Sequence, residues 1–359
     1  MLDIIDKYIA KLFLSYFFGS ILVLVTLFLT IDALSNFVGV QTSLLNMVKF
    51  YLYSTPAIIY QLLPAASLIG TLFTLGGLNK NSELVALFSI GNSLARVSAP
   101  ILIIVAGVTV MSFWMSDRIL PITNKKKNYT WYVEIRDRPA MYSAVKNSKI
   151  WYRQDNMLFN IKAFDAETQI AEGLSFYYFD DKWNLVQLIV AKTAKLEPKE
   201  WKLLDGTVTL FTGDSSFPMN QSFQEKSIII DDEIGDIQES SKFSEVVSIK
   251  ELREYIKKNK EAGLNTLRYE VDLHSKYGFA LAAFVMAFIG IPFSVFNTRT
   301  GGRMMSVGLC LGLAFGYWAL LSVGLTMGRH GYLSPILSAW LPNIFTLALS
   351  TFLLLRLKK

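Results

Sequence analysis

Long runs without charged residues alternate with polar stretches along the chain, and these runs predict membrane helices. A helix that crosses the hydrocarbon core of a bilayer needs about 20 apolar residues. Six charge-free runs reach that length: Leu12–Ile31, Phe50–Asn79, Val97–Ser116, Tyr277–Thr298, Met304–Gly328 and Gly331–Leu355. Three of them precede a long polar segment and three follow it. The second run contains Pro56 and Pro64, so we expect a kinked or partly re-entrant helix there.

The polar segment between the two sets of runs has the pattern of short β-strands. Stretches rich in Tyr, Phe, Val and Ile are separated by turn residues such as those at Asp205-Gly206. The predicted strands are Lys149–Gln154, Met157–Phe164, Leu174–Phe179, Leu185–Ala194 and Thr207–Phe211, with a more polar outer strand at Asp231–Glu239. The continuous apolar run Leu185–Val190 predicts a strand that is covered on both faces. Strands at this spacing are typical of a sandwich or jelly roll.

A helical connector is predicted between the β region and the fourth membrane run. Ser248 and Glu251 have the spacing of a capping box, which would open a charged helix from Ile249 to about Glu261. We expect the stretch Leu264–Lys276 to lead as an amphipathic elbow into the next membrane helix. The predicted organisation is membrane helices over 1–120, a β domain over 121–247, a connector over 248–276 and membrane helices over 277–359.

The composition supports a membrane protein with one inserted polar domain. Only 18% of the residues are charged, against roughly 25% in soluble proteins. The net charge of +6 arises outside residues 121–270, where the flanks hold 13 basic and 6 acidic residues, so it does not indicate a nucleic-acid partner. Cys310 is the only cysteine, and His274 and His330 lie far apart in sequence. An intrachain disulfide is therefore excluded, and a His-rich metal site is not indicated.

Basic residues in the short loops predict the orientation in the membrane. One side has nine, namely Lys7, Lys11, Lys80, Arg96, Arg299, Arg303, Arg356, Lys358 and Lys359. The other side has two, Lys49 and Arg329. Because cytoplasmic loops are enriched in Lys and Arg, we expect both termini in the cytoplasm and the β domain outside.

The sequence matches no catalytic motif well. It has no phosphate-binding loop, and Gly91–Ala95 lacks the final Gly and the neighbouring base of a nucleophile elbow. The helix interiors lack the ionisable residues that proton pumps use, and Asp32 is either an interfacial carboxylate or a substrate contact. The pattern favours a non-catalytic transporter subunit. The alternatives are a membrane-anchored sensor or scaffold, whose β domain binds an external partner, and a membrane-embedded enzyme.

The loop between the second and third runs predicts a short amphipathic helix over about 82–91. Ser82 would cap it, Gly91 would end it, and Leu84, Leu87 and Phe88 would form its apolar face. Such a helix either docks into a groove of a soluble partner or lies on the lipid surface.

Four segments together resemble the LptF/LptG (YjgP/YjgQ) permeases of lipopolysaccharide export. They are "IIDKYIAKLF", "NSELVALFSIGNSLARV", "LHSKYGFALAAFVMAFIGIPF" and "GYLSPILSAWLPNIF", in that order. The "DKYI" opening is more similar to LptG than to LptF. The resemblance implies a multi-pass inner-membrane protein of a Gram-negative bacterium, with six transmembrane helices and an inserted periplasmic all-β, jelly-roll-like domain.

The resemblance also implies a function and partners. The chain would be a permease subunit of an ABC transporter that extracts lipopolysaccharide from the inner membrane and passes it to a periplasmic bridge. Its partners would be an LptF-like sister permease, a dimer of LptB-like ATPases, and LptC- and LptA-like jelly-roll proteins. ATP and Mg would be used by the ATPase, with no cofactor bound by this chain. The implied ATPase-coupling residues are Glu83, Leu84, Leu87, Phe88 and Gly91.

The chain departs from LptG-like members where those carry basic residues near the outer end of the first helix, because residues 32–42 contain no Lys or Arg. Recognition of lipid phosphates then falls to the partner permease or to other cations. The candidates are Lys49, Arg118, Lys125, Lys126 and Lys127, although Arg118 fits an interfacial snorkelling role equally well. Candidates for lipid contact, each equally suited to packing, are Phe28, Phe37, Tyr317 and Trp318 in the membrane and Tyr178 and Ile189 in the β domain.

Overall fold

Six long apolar helices form the membrane part of the chain, and they confirm the six predicted spans. The computed structural model describes residues 4–38, 42–137, 150–154, 156–165, 170–180, 183–197, 200–211, 218–229, 243–261, 265–296 and 303–357. The helices are α1 (Ile4–Phe37), α2 (Leu44–Lys80), α3 (Glu83–Ser89), α4 (Leu94–Ile135), α5 (Phe243–Val246), α6 (Ile249–Glu261), α7 (Leu267–Phe296), α8 (Arg303–Arg329) and α9 (Pro335–Leu357). All except α3, α5 and α6 are long and apolar enough to span a bilayer.

Several helices run beyond the apolar stretches that predict them. Helix α2 is continuous through Pro56 and Pro64, so the re-entrant alternative is wrong. Helix α4 continues to Ile135 through two π-helical turns, Met115–Ile119 and Thr130–Ile135. The predicted start of the β domain at residue 121 therefore falls within a helix. Polar residues such as Lys125–Lys127 form this extension beyond the bilayer. Because the extension is not apolar, the length of the apolar run does not predict it.

The core of the membrane part lies between α2 and α7. In the most apolar window of α7, 72% of the residues are buried, compared with 11% in α1. Small residues allow the close contacts, since a Cβ at Gly290 would lie 3.1 Å from the side chain of Thr71 on α2. Helices α1 and α8 flank this core and leave most of their apolar surface exposed.

The segment between α4 and α5 forms a six-stranded antiparallel sheet, which confirms the inserted all-β domain. Its strands are β1 (Ile150–Gln154), β2 (Met157–Asp165), β3 (Ile170–Phe179), β4 (Leu185–Glu197), β5 (Glu200–Leu210) and β6 (Met219–Ile229). Among the described residues they pair in sequential order, as an up-and-down meander. Each strand is thus joined to its neighbour by a short connection.

The sheet bends sharply along a line that crosses its middle strands. Gly173 on β3 and Asp205 on β5 have positive φ angles of 64° and 52°. The alternation of buried residues is broken at this line, since Ala171 and Leu174 on β3 are three apart and Leu203 and Val208 on β5 are five apart. Strand bends of this kind make the corners at which a sheet folds over its own core. The ring centroids of Phe159 on β2 and Trp201 on β5 are only 5.4 Å apart, so the two halves of the sheet face each other.

Two expectations about the strands are corrected by the structure, and one further strand lies where none was expected. The Asp205-Gly206 turn is wrong, because β5 continues through it and the predicted strand Thr207–Phe211 is its second half. Strand β4 is not covered on both faces, since Val186 and Val190 are 38% and 42% exposed. Strand β6 was not predicted, because its sequence is mostly polar. The predicted strand Asp231–Glu239 lies outside the described residues.

The connector joins the β domain to the membrane helices through a capped helix. The predicted capping box is present, with the Glu251 N–H donating to Ser248 Oγ at 3.2 Å and the Ser248 N–H to Glu251 Oε2 at 2.8 Å. Asp117, in the first π turn of α4, accepts a hydrogen bond from the Ile249 N–H at 2.9 Å. The expected elbow is absent from the described residues, because 267–276 form the first turns of α7 itself.

Candidate functional site

Helix α3 is fixed to the membrane bundle by one buried side chain. Leu84 is 1% exposed and packs in the same cluster as Ile9 and Val97. Ser82 occupies the N-cap position with φ of 61°, and its side chain makes no capping hydrogen bond, so the predicted serine cap is wrong. Gly91 has φ of 90°, a left-handed conformation that favours glycine and ends the helix as expected.

The exposed face of α3 differs from the predicted one. Leu84 points into the bundle and is not available to a partner, whereas Val85, Phe88 and Ile90 are exposed. Leu87 is half-buried against the same cluster that holds Leu84. A seven-residue helix is too short for periodicity to show which side faces the bundle, and this is why Val85 and Ile90 were missed.

Glu83 is held in place at the start of this exposed face. Tyr8 on α1 donates its hydroxyl to Glu83 Oε2 at 3.0 Å, and Asn81 Nδ2 donates to Oε1 at 3.2 Å. A second polar contact joins the same two regions, between Asp6 on α1 and Arg96 on α4 at 3.0 Å. The exposed side of α3 therefore carries one oriented carboxylate beside three apolar side chains, and it is tied directly to the end of α1.

The predicted phosphate-binding cations lie at the end of the bundle that carries the β domain, but they do not converge. Lys49 Nζ pairs with Glu134 at 3.4 Å. The Arg118 side chain is 75% exposed and lies 3.5 Å from its neighbour Asp117. Lys126 lies over the ring of Tyr53, and Lys125 acts on Glu251 as a nearby positive charge. Lys127 lines a cavity between the helices.

The other membrane candidates occupy three different environments. Phe28 is exposed on α1, and Trp318 is 38% exposed and lines the same cavity as Lys127. Phe37 is buried among Phe50, Tyr51 and Trp131. Tyr317 is buried and donates a hydrogen bond to Asn343 at 2.8 Å. Asp32 accepts hydrogen bonds from Tyr51 and Asn36.

The interior of the β domain is densely packed at its centre. Ile189 is 2% exposed and belongs to the cluster that contains Phe159, Phe176 and Trp201. Tyr178 packs at the margin of this cluster, where burial raises the pKa of its hydroxyl. The opposite end of the sheet lies near the connector, since the Asn265 N–H donates to Glu172.

The sequence of this chain, with its six spans and inserted sheet, matches one family of proteins over almost its whole length. The family model described as lipopolysaccharide export system permease LptF/LptG matches residues 7–356. The chain belongs to the LptF/LptG family. Two curated relatives named LptG, from Haemophilus influenzae Rd and Escherichia coli K12, are each 24% identical to it. The alignments cover 99% of both proteins in the first case and 98% of both in the second.

Membership in the LptF/LptG family confirms two expectations from the sequence. The chain is a permease of lipopolysaccharide export in the inner membrane, and its relatives support the greater likeness to LptG. A sensor or scaffold is not favoured. The family also implies that the chain works in a transport complex with partner proteins.

Proposed function

We propose that this chain is the LptG-like half of an ATP-driven exporter that lifts lipopolysaccharide out of the inner membrane. A separate ATPase would bind ATP and Mg²⁺ and supply the energy, while this chain would provide helices, a docking surface and no catalytic group. The observation that carries the proposal is the exposed surface of α3, which holds the oriented carboxylate of Glu83 at its start and the exposed side chains of Phe88 and Ile90 toward its end.

Docking through this face is supported by its chemistry. Apolar side chains that are exposed next to one charged group suit a groove on a soluble protein, where the charge fixes orientation and the apolar groups supply affinity. Leu84 fixes the helix to the bundle, so a movement of the ATPase would move α1 and α4 as well.

The orientation follows from the distribution of Lys and Arg in the short loops. With nine basic residues on the side of α3 and two on the other, α3 and both termini would face the cytoplasm. The β domain would lie in the periplasm. There it would pass lipid to LptC- and LptA-like jelly-roll proteins, and an LptF-like permease would pack against the exposed faces of α1 and α8.

The proposal is tested by truncating the docking face. We expect Phe88→Ala with Ile90→Ala to weaken binding of the ATPase by a factor of about 5–30, because the two truncations together remove about 1–2 kcal/mol of binding free energy. Release of lipopolysaccharide from proteoliposomes should fall with it. Phe345→Ala, which truncates an exposed apolar residue of α9, is the matched control and should leave both unchanged. Full ATPase binding and lipid release in the double variant would contradict the proposal.

A further inference from the structure

A cavity of about 320 Å³ lies within this single chain, at the end of the helices that carries the β domain. It is enclosed by α2, α4, α7 and α8, with α5 at its side. Its lining combines charged residues with aromatic and aliphatic ones. The charged residues are Lys127, Glu245, Arg268, Asp272, Lys276 and Arg329.

Cations outnumber carboxylates in the lining by four to two. Asp272 already accepts hydrogen bonds from Arg329 at 2.9 Å and from Ser244 at 2.6 Å. Lys276 donates to the carbonyl oxygen of Val247 at 2.7 Å, and a carbonyl carries no formal charge to neutralise the ammonium group. The lining therefore has a surplus of positive charge, which favours an anion.

Two further carboxylates act on Lys276 from outside the cavity lining. Asp117 accepts a hydrogen bond from the Ile249 N–H, and Glu251 accepts one from the Ser248 N–H. Both are thus engaged at the start of α6, where the helix dipole also favours negative charge. Both lie outside the cavity and attract Lys276 from there, while the lining itself holds four cations and two carboxylates.

The two helices that supply most of the lining place charge and apolar surface at different depths. Along α7, Arg268 and Lys276 precede Phe279, and along α8, Trp318 and Leu321 precede Arg329. Because the helices run in opposite directions, both put their apolar residues toward the middle of the bundle and their cations toward the β domain. Each helix spans eleven residues between these extremes, about 16 Å at 1.5 Å per residue. Such a gradient suits an amphiphile more than a free anion.

We propose that this cavity binds a phosphomonoester of a lipid headgroup. Lys127, Arg268, Lys276 and Arg329 would surround the phosphate, and an apolar segment of the lipid would lie against Trp318 and Leu321. A volume of 320 Å³ is at the lower end for ligand sites, so the cavity holds part of a headgroup and not a whole glycolipid. The inference rests on the proposed lipid-export function for the identity of the lipid.

The test compares variants of the intact permease complex in nanodiscs, with bisphosphorylated lipid A as the probe. We expect Lys127→Gln with Arg268→Gln to raise the Kd for this lipid about tenfold or more, since each hydrogen bond to a charged group is lost together with its charge. The Kd for dephosphorylated lipid A should stay the same. Lys257→Gln, which removes an exposed cation of α6 outside the cavity, is the matched control. Arg268→Lys keeps the charge and should retain most of the affinity.

Three results would overturn the assignment: an unchanged Kd in the double variant, an equal loss for both lipids, or an equal loss in Lys257→Gln. Competition by millimolar inorganic phosphate as strong as that by lipid A would show a site for the free anion and also contradict it. Lipid release from proteoliposomes separates this inference from the proposed function. If the unmodified complex releases lipopolysaccharide while the double variant binds and releases it equally well, only the cavity assignment fails. If the unmodified complex releases none, the proposed function fails.

Discussion

Glu83 shows how one carboxylate can be given a fixed direction on an otherwise apolar surface. Its two oxygens accept hydrogen bonds from different elements, Tyr8 on α1 and Asn81 at the end of α2. An exposed acid with a single flexible partner would sample many rotamers. With two donors it is already oriented before a partner arrives, which lowers the entropy that binding must overcome.

Tyr8→Phe should therefore reduce coupling while leaving the membrane fold intact. The variant removes the hydroxyl that holds Glu83 Oε2, and because this contact is exposed, its loss costs under about 1 kcal/mol. We expect the amount of lipopolysaccharide released per ATP hydrolysed to fall by up to about fivefold. Tyr16→Phe, two turns further along α1, is the control. If the amount of lipid released per ATP hydrolysed is the same in the unmodified chain, Tyr8→Phe and Tyr16→Phe, the Tyr8 hydroxyl has no part in coupling.

Glu251 should make the start of α6 sensitive to acid. The hydrogen bond from the Ser248 N–H lowers the pKa of this carboxyl below its ordinary value of 4.5. A group with a lowered pKa stabilises the folded state above its ordinary pKa, and this contribution is lost as the pH falls through the folded value. At pH 6.5 the unmodified chain should have a higher midpoint of thermal unfolding than Glu251→Gln, and the gap should narrow as the pH falls below 4.5 and through the lowered pKa of Glu251.

The control for this pH dependence lies on the same helix. Glu254 is on the exposed face of α6, so Glu254→Gln should give a midpoint difference that does not follow the titration of Glu251. A gap between the unmodified chain and Glu251→Gln that does not change as the pH is lowered would show that the charge of Glu251 does not stabilise the helix.

At the scale of elements, one residue of α3 anchors the helix to the bundle and another is exposed to a partner. Leu84→Ala should lower both the thermal stability of the chain and its affinity for the ATPase, because truncating a buried leucine costs about 2–5 kcal/mol and loosens the helix. Phe88→Ala should lower the affinity alone, since Phe88 is exposed. Measuring both quantities in both variants checks the distinction. Equal thermal destabilisation by the two substitutions would refute it.

The elements also show what the sequence can and cannot predict. Apolar runs predict the six spans because the thickness of the bilayer sets their length. The same runs miss the polar ends, such as the turns of α4 beyond Ser116, because only tertiary contacts stabilise them. The sequence pattern does not predict strand β6, because β6 lies at the edge of the sheet and edge strands tolerate polar residues. The cavity cations Lys127, Arg268 and Arg329 are distant in sequence, and only the fold brings them together.

At the scale of the whole molecule, the predicted orientation can be tested with single cysteines. In a Cys310→Ala background, Trp183→Cys should react with an impermeant maleimide in intact spheroplasts, since Trp183 is exposed on the β domain. Ser89→Cys on α3 should react only after the membrane is opened. The expectation follows from the bias of basic residues toward one side. Labelling of Ser89→Cys in closed spheroplasts would show that the topology is the reverse of the predicted one.

The uninterrupted course of α2 gives the molecule a mechanical property. A helix of 37 residues is about 55 Å long, and one end of it leads within three residues into α3. Near the other end, Lys49 and Asn46 are bonded to Glu134 on α4, close to the β domain. Such a helix behaves as a stiff lever, in which a tilt of about 5° at one end displaces the other by about 5 Å. A small rocking of the docked ATPase would thereby become a displacement on the opposite face of the membrane, with no unfolding between them.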